Sequence, residues 1–306
     1  MSRSRSSIPH VLAGAAIIAG SVACARNAPE SDVHAEHAAT PVARATTAAA
    51  TSDAALPAGA LDVAARLARS PRHGEWAMIR TGPSDSVKAF VVYPERSTKA
   101  PVVVVVHEIY GLSTWVRGVA DQLAADGYIA IAPDLLTGRV APAPGSDTLT
   151  QAAASAAIRT LATADVHRQL AAVGHYGMSL PAAERRYGIV GFCWGGSTSF
   201  MHAVTSPPDL GASVVYYGTS PADSLLSRVN VPVLGLYAGD DARVNATVAP
   251  AVEAMRSLGK RYEPHTFAGA GHGFLRQQDG KDGANLAASR QAWPLTVAFF
   301  RTNLGR

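Results

Sequence analysis

Five consecutive valines, Val102 to Val106, follow Pro101. β-branched side chains lose rotamer freedom in a helix and fit an extended backbone. A run of them with no polar alternation fits a strand buried on both faces, and such a strand needs a covering layer on each side. The rest of the chain repeats this demand. Residues 89–93, 187–190, 212–217, 231–237 and 260–267 read as further strands, as do residues 128–132, stopped by Pro133. Residues 115–126, 151–175, 197–202, 248–258 and 286–303 read as helices, and Pro294 kinks or breaks the last of them. Gly127 and Gly259 sit where two of these helices should end. The fold class is therefore α/β, with a mostly parallel central sheet and helices on both faces. In such sheets the functional loops lie just beyond the C-terminal ends of the strands.

The first 60 residues break the pattern. Arg3 and Arg5 precede an apolar run at residues 11–23, which reads as a signal peptide over residues 1–24. Ser21-Val22-Ala23-Cys24 resembles a bacterial lipobox, with Ser21 where a leucine-like residue is usual. That reading puts a lipid on Cys24 and attaches the protein to a membrane. Cleavage at a small-x-small site nearby is the alternative. The expectation is an exported protein, periplasmic or anchored to the envelope as a lipoprotein, or else secreted. Residues 25–60 are rich in Ala, Thr and Pro and read as a disordered tether, with His34, Glu36 and His37 as incidental polar residues. Residues 61–306 form the expected folded domain, opening with a short helix near residues 61–69.

Composition narrows the function. The formal charge is +4, and losing Arg3 and Arg5 leaves +2, so no basic surface for nucleic acid is implied. The only cysteines are Cys24 and Cys193. With Cys24 lipidated or removed, no intrachain disulfide remains. Cys193 lies in Gly191-Phe192-Cys193-Trp194-Gly195-Gly196, between an apolar strand and a helix-compatible segment. Gly-x-Cys-x-Gly in that setting is a nucleophile elbow with cysteine in place of serine. The helix N-terminus at such a turn favours thiolate.

Three more motifs fall in loops after strands. His272, in Gly269-Ala270-Gly271-His272-Gly273-Phe274, is the candidate base. Asp241 is the candidate carboxylate that orients it, with Asp240 as the rival. The order Cys193, Asp241, His272 is the nucleophile–acid–histidine order of α/β-hydrolases. Glu108 closes the valine strand, where a carboxylate is costly unless partnered, and it could hold the thiol proton in the resting enzyme. The adjacent His107 reads as structural. Backbone N–H groups of Ile109 and Trp194 are the candidate oxyanion hole.

Together, His107-Glu108-Ile109-Tyr110-Gly111-Leu112, the cysteine elbow, Asp241-Ala242-Arg243-Val244 and Gly271-His272-Gly273-Phe274 resemble the dienelactone hydrolase (carboxymethylenebutenolidase) family. The resemblance covers roughly residues 86–300. It implies a Cys-His-Asp triad, no cofactor and no metal, and a glutamate that pairs with the resting thiol and releases the thiolate when substrate binds. It also implies a small-molecule ester or lactone substrate whose carboxylate is held by two arginines. Arg276, four residues after His272, takes one of those places. The second has no clear counterpart, because Arg139 and Arg159 are out of register. The leading expectation is hydrolysis of an ester or lactone through a thioester acyl-enzyme. The rivals are an envelope thioesterase or acyl transferase, and a catalytically quiet binding protein on the same fold.

Overall fold

The valine run forms the centre of the molecule. In the computed structural model, which describes residues 53–139 and 146–305, Val102 to Val106 are all fully buried within strand β3 (Ala100–Val106). Their side chains alternate between two cores. Val103 and Val105 face one; Val102, Val104 and Val106 face the other. Burying each valine stabilises the fold by roughly 1.5–3 kcal/mol.

Seven strands flank β3: β1 (Gly74–Arg80), β2 (Ser86–Val92), β4 (Ile129–Asp134), β5 (Ala183–Phe192), β6 (Leu210–Tyr216), β7 (Val233–Ala238) and β8 (Tyr262–Phe267). Their order across the sheet is β1-β2-β4-β3-β5-β6-β7-β8. β2 pairs antiparallel with both neighbours, and all other pairs are parallel. Helices α2 (Thr114–Ala125) and α8 (Ala284–Leu304) bury Trp115, Val119, Leu123, Trp293 and Phe300 against one face. Helices α4 (Thr163–Ser179), α5 (Trp194–Thr205) and α7 (Val248–Ser257) cover the other with Leu170, Val173, Phe200 and Met255. The predicted α/β sandwich of layers is present.

Four details differ from the sequence reading. Residues 151–175 are not one helix. α3 (Gln151–Ile158) buries Ala154 and Ile158 in the first core, whereas α4 buries Val166 and Leu170 in the second. The chain passes from one face of the sheet to the other, and a straight helix cannot do that. A Thr160 hydroxyl bond to Ala157 O (2.7 Å) marks the break. Pro133 does not stop its strand, which continues to Asp134 with Pro133 opposite Ala89. Pro294 does not interrupt α8; it lies on the exposed side, while Ala292, Trp293 and Thr296 lie on the buried side. Finally, β1 escaped the sequence reading. It is an edge strand with Trp76 and Met78 exposed and little alternation of burial.

The packed chain also begins earlier than the expected boundary at Leu61. Leu56 and Ala58 are 2% and 4% exposed and belong to the first core, so the tether assignment does not hold for residues 53–60. The short helix α1 (Val63–Leu67) follows them. The proposed signal peptide, Cys24 and the remainder of the tether lie outside the described residues. Among the described residues, no helix is long and apolar enough to cross a membrane.

Candidate active site

The five loops after β3, β5, β6, β7 and β8 meet at one edge of the sheet. Cys193 occupies the sharpest of them, between β5 and α5, with φ 56° and ψ −117°. Positive φ is costly for a side chain with a Cβ, and such strain collects at functional sites. The turn is tight enough to demand glycine nearby. A Cβ on Gly191 would lie 1.8 Å from Gly195 O, and one on Gly195 would lie 2.4 Å from His107 O. Cys193 N–H donates to Tyr216 O (3.1 Å), which pins the elbow to β6. The thiol is buried, with 6% exposure.

His272 comes from the loop after β8. Its Nδ1 contacts Asp241 Oδ2 at 2.5 Å. Asp241 caps the short helix α6 (Ala242–Asn245), accepting from Val244 N–H at 3.3 Å with its other oxygen. Geometry thus separates the two candidate acids. Asp240 is exposed and pairs with Lys281 (3.3 Å), away from the imidazole. Burial works against charge on His272, but it is outweighed by the hydrogen bonds and charges of Asp241 and Cys193, which push its pKa up to about 10. Burial likewise works against the Asp241 carboxylate, yet the His272 bond and charge leave its pKa below the usual range. The structure thus brings His272 onto Asp241 and places Cys193 close enough to act on the same imidazole.

Around the oxyanion candidates the backbone is ordered by His107. Leu135 N–H donates to His107 Nε2 (3.2 Å), so Nδ1 carries the proton and donates to Glu108 O (2.7 Å). The ring is fully buried and stacks on Trp194 with centroids 5.6 Å apart. Burial pushes its pKa down, which suits a neutral structural histidine. Trp194 opens α5, where helix geometry leaves its N–H without an intrahelical partner. Ile109 lies two residues past His107 in the facing turn.

Glu108 departs from its expected partner. The carboxylate is 3% exposed and sits 2.8 Å from Arg276 Nε, rather than being held on the thiol. Neither of these two atoms has an aligned hydrogen bond, so the contact is an ion pair only. A buried carboxylate needs a counter-charge, and a guanidinium satisfies that need better than a neutral thiol. Arg276 also lies over the Tyr110 ring, 5.3 Å from its centroid. Burial disfavours its charge, but Glu108 together with Tyr217, Tyr110 and Cys193 outweighs burial and raises its pKa.

Two site residues were missed by the sequence reading. Tyr217 follows β6, has φ 39° and is fully buried, with no partner for its hydroxyl among the described residues. Its ring packs at 5.1 Å from His272 and 5.4 Å from Phe274. Burial first, then the Glu108 charge, push its pKa well up. Tyr110 is pushed up to about 12 by the same two causes. The post-strand position of Tyr216-Tyr217-Gly218 was the available signal for the first. Asn285 also supports the site from α8, accepting from Gly271 N–H (2.9 Å) and donating to Gln277 O (2.7 Å). Among the described residues, no group of three or more His, Cys, Asp or Glu side chains is placed to hold a metal ion.

Residues 87–304 match the family model described as "Dienelactone hydrolase family". A Salmonella typhi protein named "Putative carboxymethylenebutenolidase" is 30% identical over 244 residues, covering 71% of this chain and 83% of that protein. A Bradyrhizobium protein named "Probable 2-oxo-3-(5-oxofuran-2-ylidene)propanoate lactonase" is 28% identical, covering 75% of this chain and 94% of its own. Among solved structures, one described as a "Putative Dienelactone Hydrolase" from Klebsiella pneumoniae superposes with a TM-score of 0.65 at 26% identity, over 75% of this chain and 98% of that one.

Proposed function

The chain belongs to the dienelactone hydrolase family and is an ester or lactone hydrolase, and from that premise we propose that it works through Cys193, His272 and Asp241 by way of a thioester acyl-enzyme. The observation that carries this is the 2.5 Å Asp241–His272 contact beside a cysteine held at φ 56°. Asp241 fixes the imidazole with its Nδ1 inward, so Nε2 faces the thiol. The proton rests on the imidazole and the sulfur attacks the substrate carbonyl. Backbone N–H groups of Ile109 and Trp194 receive the developing oxyanion. His272 protonates the leaving oxygen as the thioester forms. It then takes a proton from water, which attacks the thioester and releases the acid and Cys193.

The Glu108–Arg276 pair sets which substrates suit the site. An anionic substituent on the substrate competes with Glu108 for the guanidinium. The lactone named for the Bradyrhizobium relative carries a carboxylate, which supports a carboxylate-bearing ester or lactone here. Cys193→Ala tests the chemistry. Loss of hydrolysis, with an acyl adduct on Cys193 trapped by mass spectrometry in the native chain, is the expected result. Full activity without the thiol would falsify the mechanism.

We further propose export through residues 1–24, with Cys24 lipidated. Arg3, Arg5 and the apolar run at residues 11–23 support it. Fractionation of cells making the native chain or Cys24→Ser tests this. Movement of the variant out of the membrane fraction is expected, and an unchanged distribution rejects lipidation.

A further inference from the structure

Residues 53–60 lie outside the part of the chain that matches the family model, which begins at residue 87. They nevertheless touch the site loop. Ala60 N–H donates to Arg276 O at 2.8 Å. The Gln278 side-chain amide donates to Pro57 O at 2.8 Å and to Leu275 O at 3.0 Å. Gly59 passes alongside, where a Cβ would lie 3.4 Å from Arg276 O, in van der Waals contact.

This short segment is itself firmly held. Arg66, from α1, donates to Asp53 O (3.1 Å), Leu56 O (2.6 Å) and Ala54 O (2.7 Å). The same guanidinium reaches Gln122 of α2 at 2.5 Å. Asp53 pairs with Arg290 of α8 at 3.5 Å. Leu56 and Ala58 are buried in the same core as Phe274 and Leu275. One arginine satisfying three carbonyls in series fixes the backbone of the segment, not just its side chains.

The placement of Arg276 depends on this support. Its side chain meets Glu108 at 2.8 Å without an aligned hydrogen bond, so that contact does not fix the direction of the guanidinium. The backbone of residues 275–278 does. Two sides of that loop are tied down: Asn285 holds Gln277 O, and residues 57–60 hold Arg276 O and the Gln278 side chain. We propose that residues 53–60 are a strap that positions Arg276 toward an anionic group of the substrate, with Ala60 and Gln278 as the positioning residues. The proposal rests on the reading that Arg276 meets the substrate.

Steady-state kinetics of the full chain test it, using two p-nitrophenyl esters with the same leaving group. One has a neutral butyryl group and the other a glutaryl group with a terminal carboxylate. Gln278→Ala removes the amide bonds to Pro57 O and Leu275 O and should raise KM for the glutaryl ester by about fivefold. Combining it with Ala60→Pro, which removes the N–H bonded to Arg276 O, should raise it further, to roughly 20-fold. Values of kcat and KM for the butyryl ester should stay within about twofold. Equal losses on both esters, or no change on either, overturn the strap's positioning role. Should Ala60→Pro prevent folding, Gln278→Ala alone carries the same test. Arg276→Gln separates this from its premise. If that variant affects both esters equally, Arg276 does not read the substrate and the strap proposal falls with it. If it affects only the glutaryl ester while the strap variants affect neither, the strap alone is wrong. Loss of both activities in Cys193→Ala remains the independent check on the reaction.

Discussion

Helix α5 has a buried histidine setting at each end, and the two behave oppositely. At its N-terminus Cys193 faces His272, whose charge is favoured by Asp241 and by the sulfur despite burial. In its last turn His202 stacks on His167 of α4 with centroids 5.5 Å apart, and its Nε2 meets the Tyr187 hydroxyl at 3.0 Å. Burial pushes His202 down to about 3 and His167 to about 4, and among the described residues no carboxylate acts on either. A helix C-terminus favours a cation by roughly 0.3–2 kcal/mol. Moving a histidine from 6.5 to about 3 corresponds to about 5 kcal/mol. Desolvation therefore wins at that end of the helix. What separates the two settings is a carboxylate and a sulfur placed on one imidazole, not the depth of burial.

Removing that carboxylate should give the largest effect. Asp241→Asn keeps the shape but cannot hold the same tautomer, and kcat/KM should fall by about 10²- to 10⁴-fold. A loss under tenfold in ester hydrolysis would mean that Asp241 is only the cap of α6. The same substitution should lower the pH at which His272 loses its proton, read by NMR of the imidazole. The native pair is stabilising below about pH 6.5, and that contribution is lost as pH rises through about 10.

The other histidine setting makes the opposite prediction for stability. An unfolded chain takes up protons near pH 6.5, whereas the folded chain resists until about pH 4 for His167 and 3 for His202. Stability therefore falls as pH drops below 6.5. Between pH 7 and 5 the loss should be about 2 kcal/mol per histidine. His167→Phe keeps a stacked ring without a titrating group, and urea unfolding should show about half of this acid-dependent loss removed. An unchanged pH slope would show that the buried pair is not its source.

The smallest effect concerns Tyr217. Its buried hydroxyl lacks a partner among the described residues, so Tyr217→Phe should leave the unfolding midpoint unchanged or raise stability by up to about 1 kcal/mol. A clear fall in Tm would reveal a bond holding that hydroxyl in the folded protein.

Much of this site was legible residue by residue. The elbow, Asp241, His272 and the order of the three could be read because each is short, local and set by a turn after an apolar strand. The pairing of Glu108 could not. It joins a residue at the end of β3 to one beyond β8, and sequence spacing carries no sign of which charge a buried carboxylate will meet. Tyr217 was hidden for a related reason, since its ring looks like ordinary core until its φ and its unpartnered hydroxyl are known. The break between α3 and α4 was invisible because alanine-rich sequence is compatible with helix throughout. Only the need to cross from one face of the sheet to the other interrupts it.

The sequence by itself determined the layered α/β architecture, since five valines without polar alternation require burial on both faces. It also determined the sharp turn that carries Cys193, since close-packed glycines between an apolar strand and a helix leave little other room for it. Tertiary structure decided the partnerships: Asp241 over Asp240 for His272, Arg276 for Glu108, and residues 53–60 against the Arg276 loop. Local backbone preferences fix where a side chain starts. Which distant group it meets is fixed only when the sheet brings the ends of nonadjacent strands together and burial penalises every charge left alone.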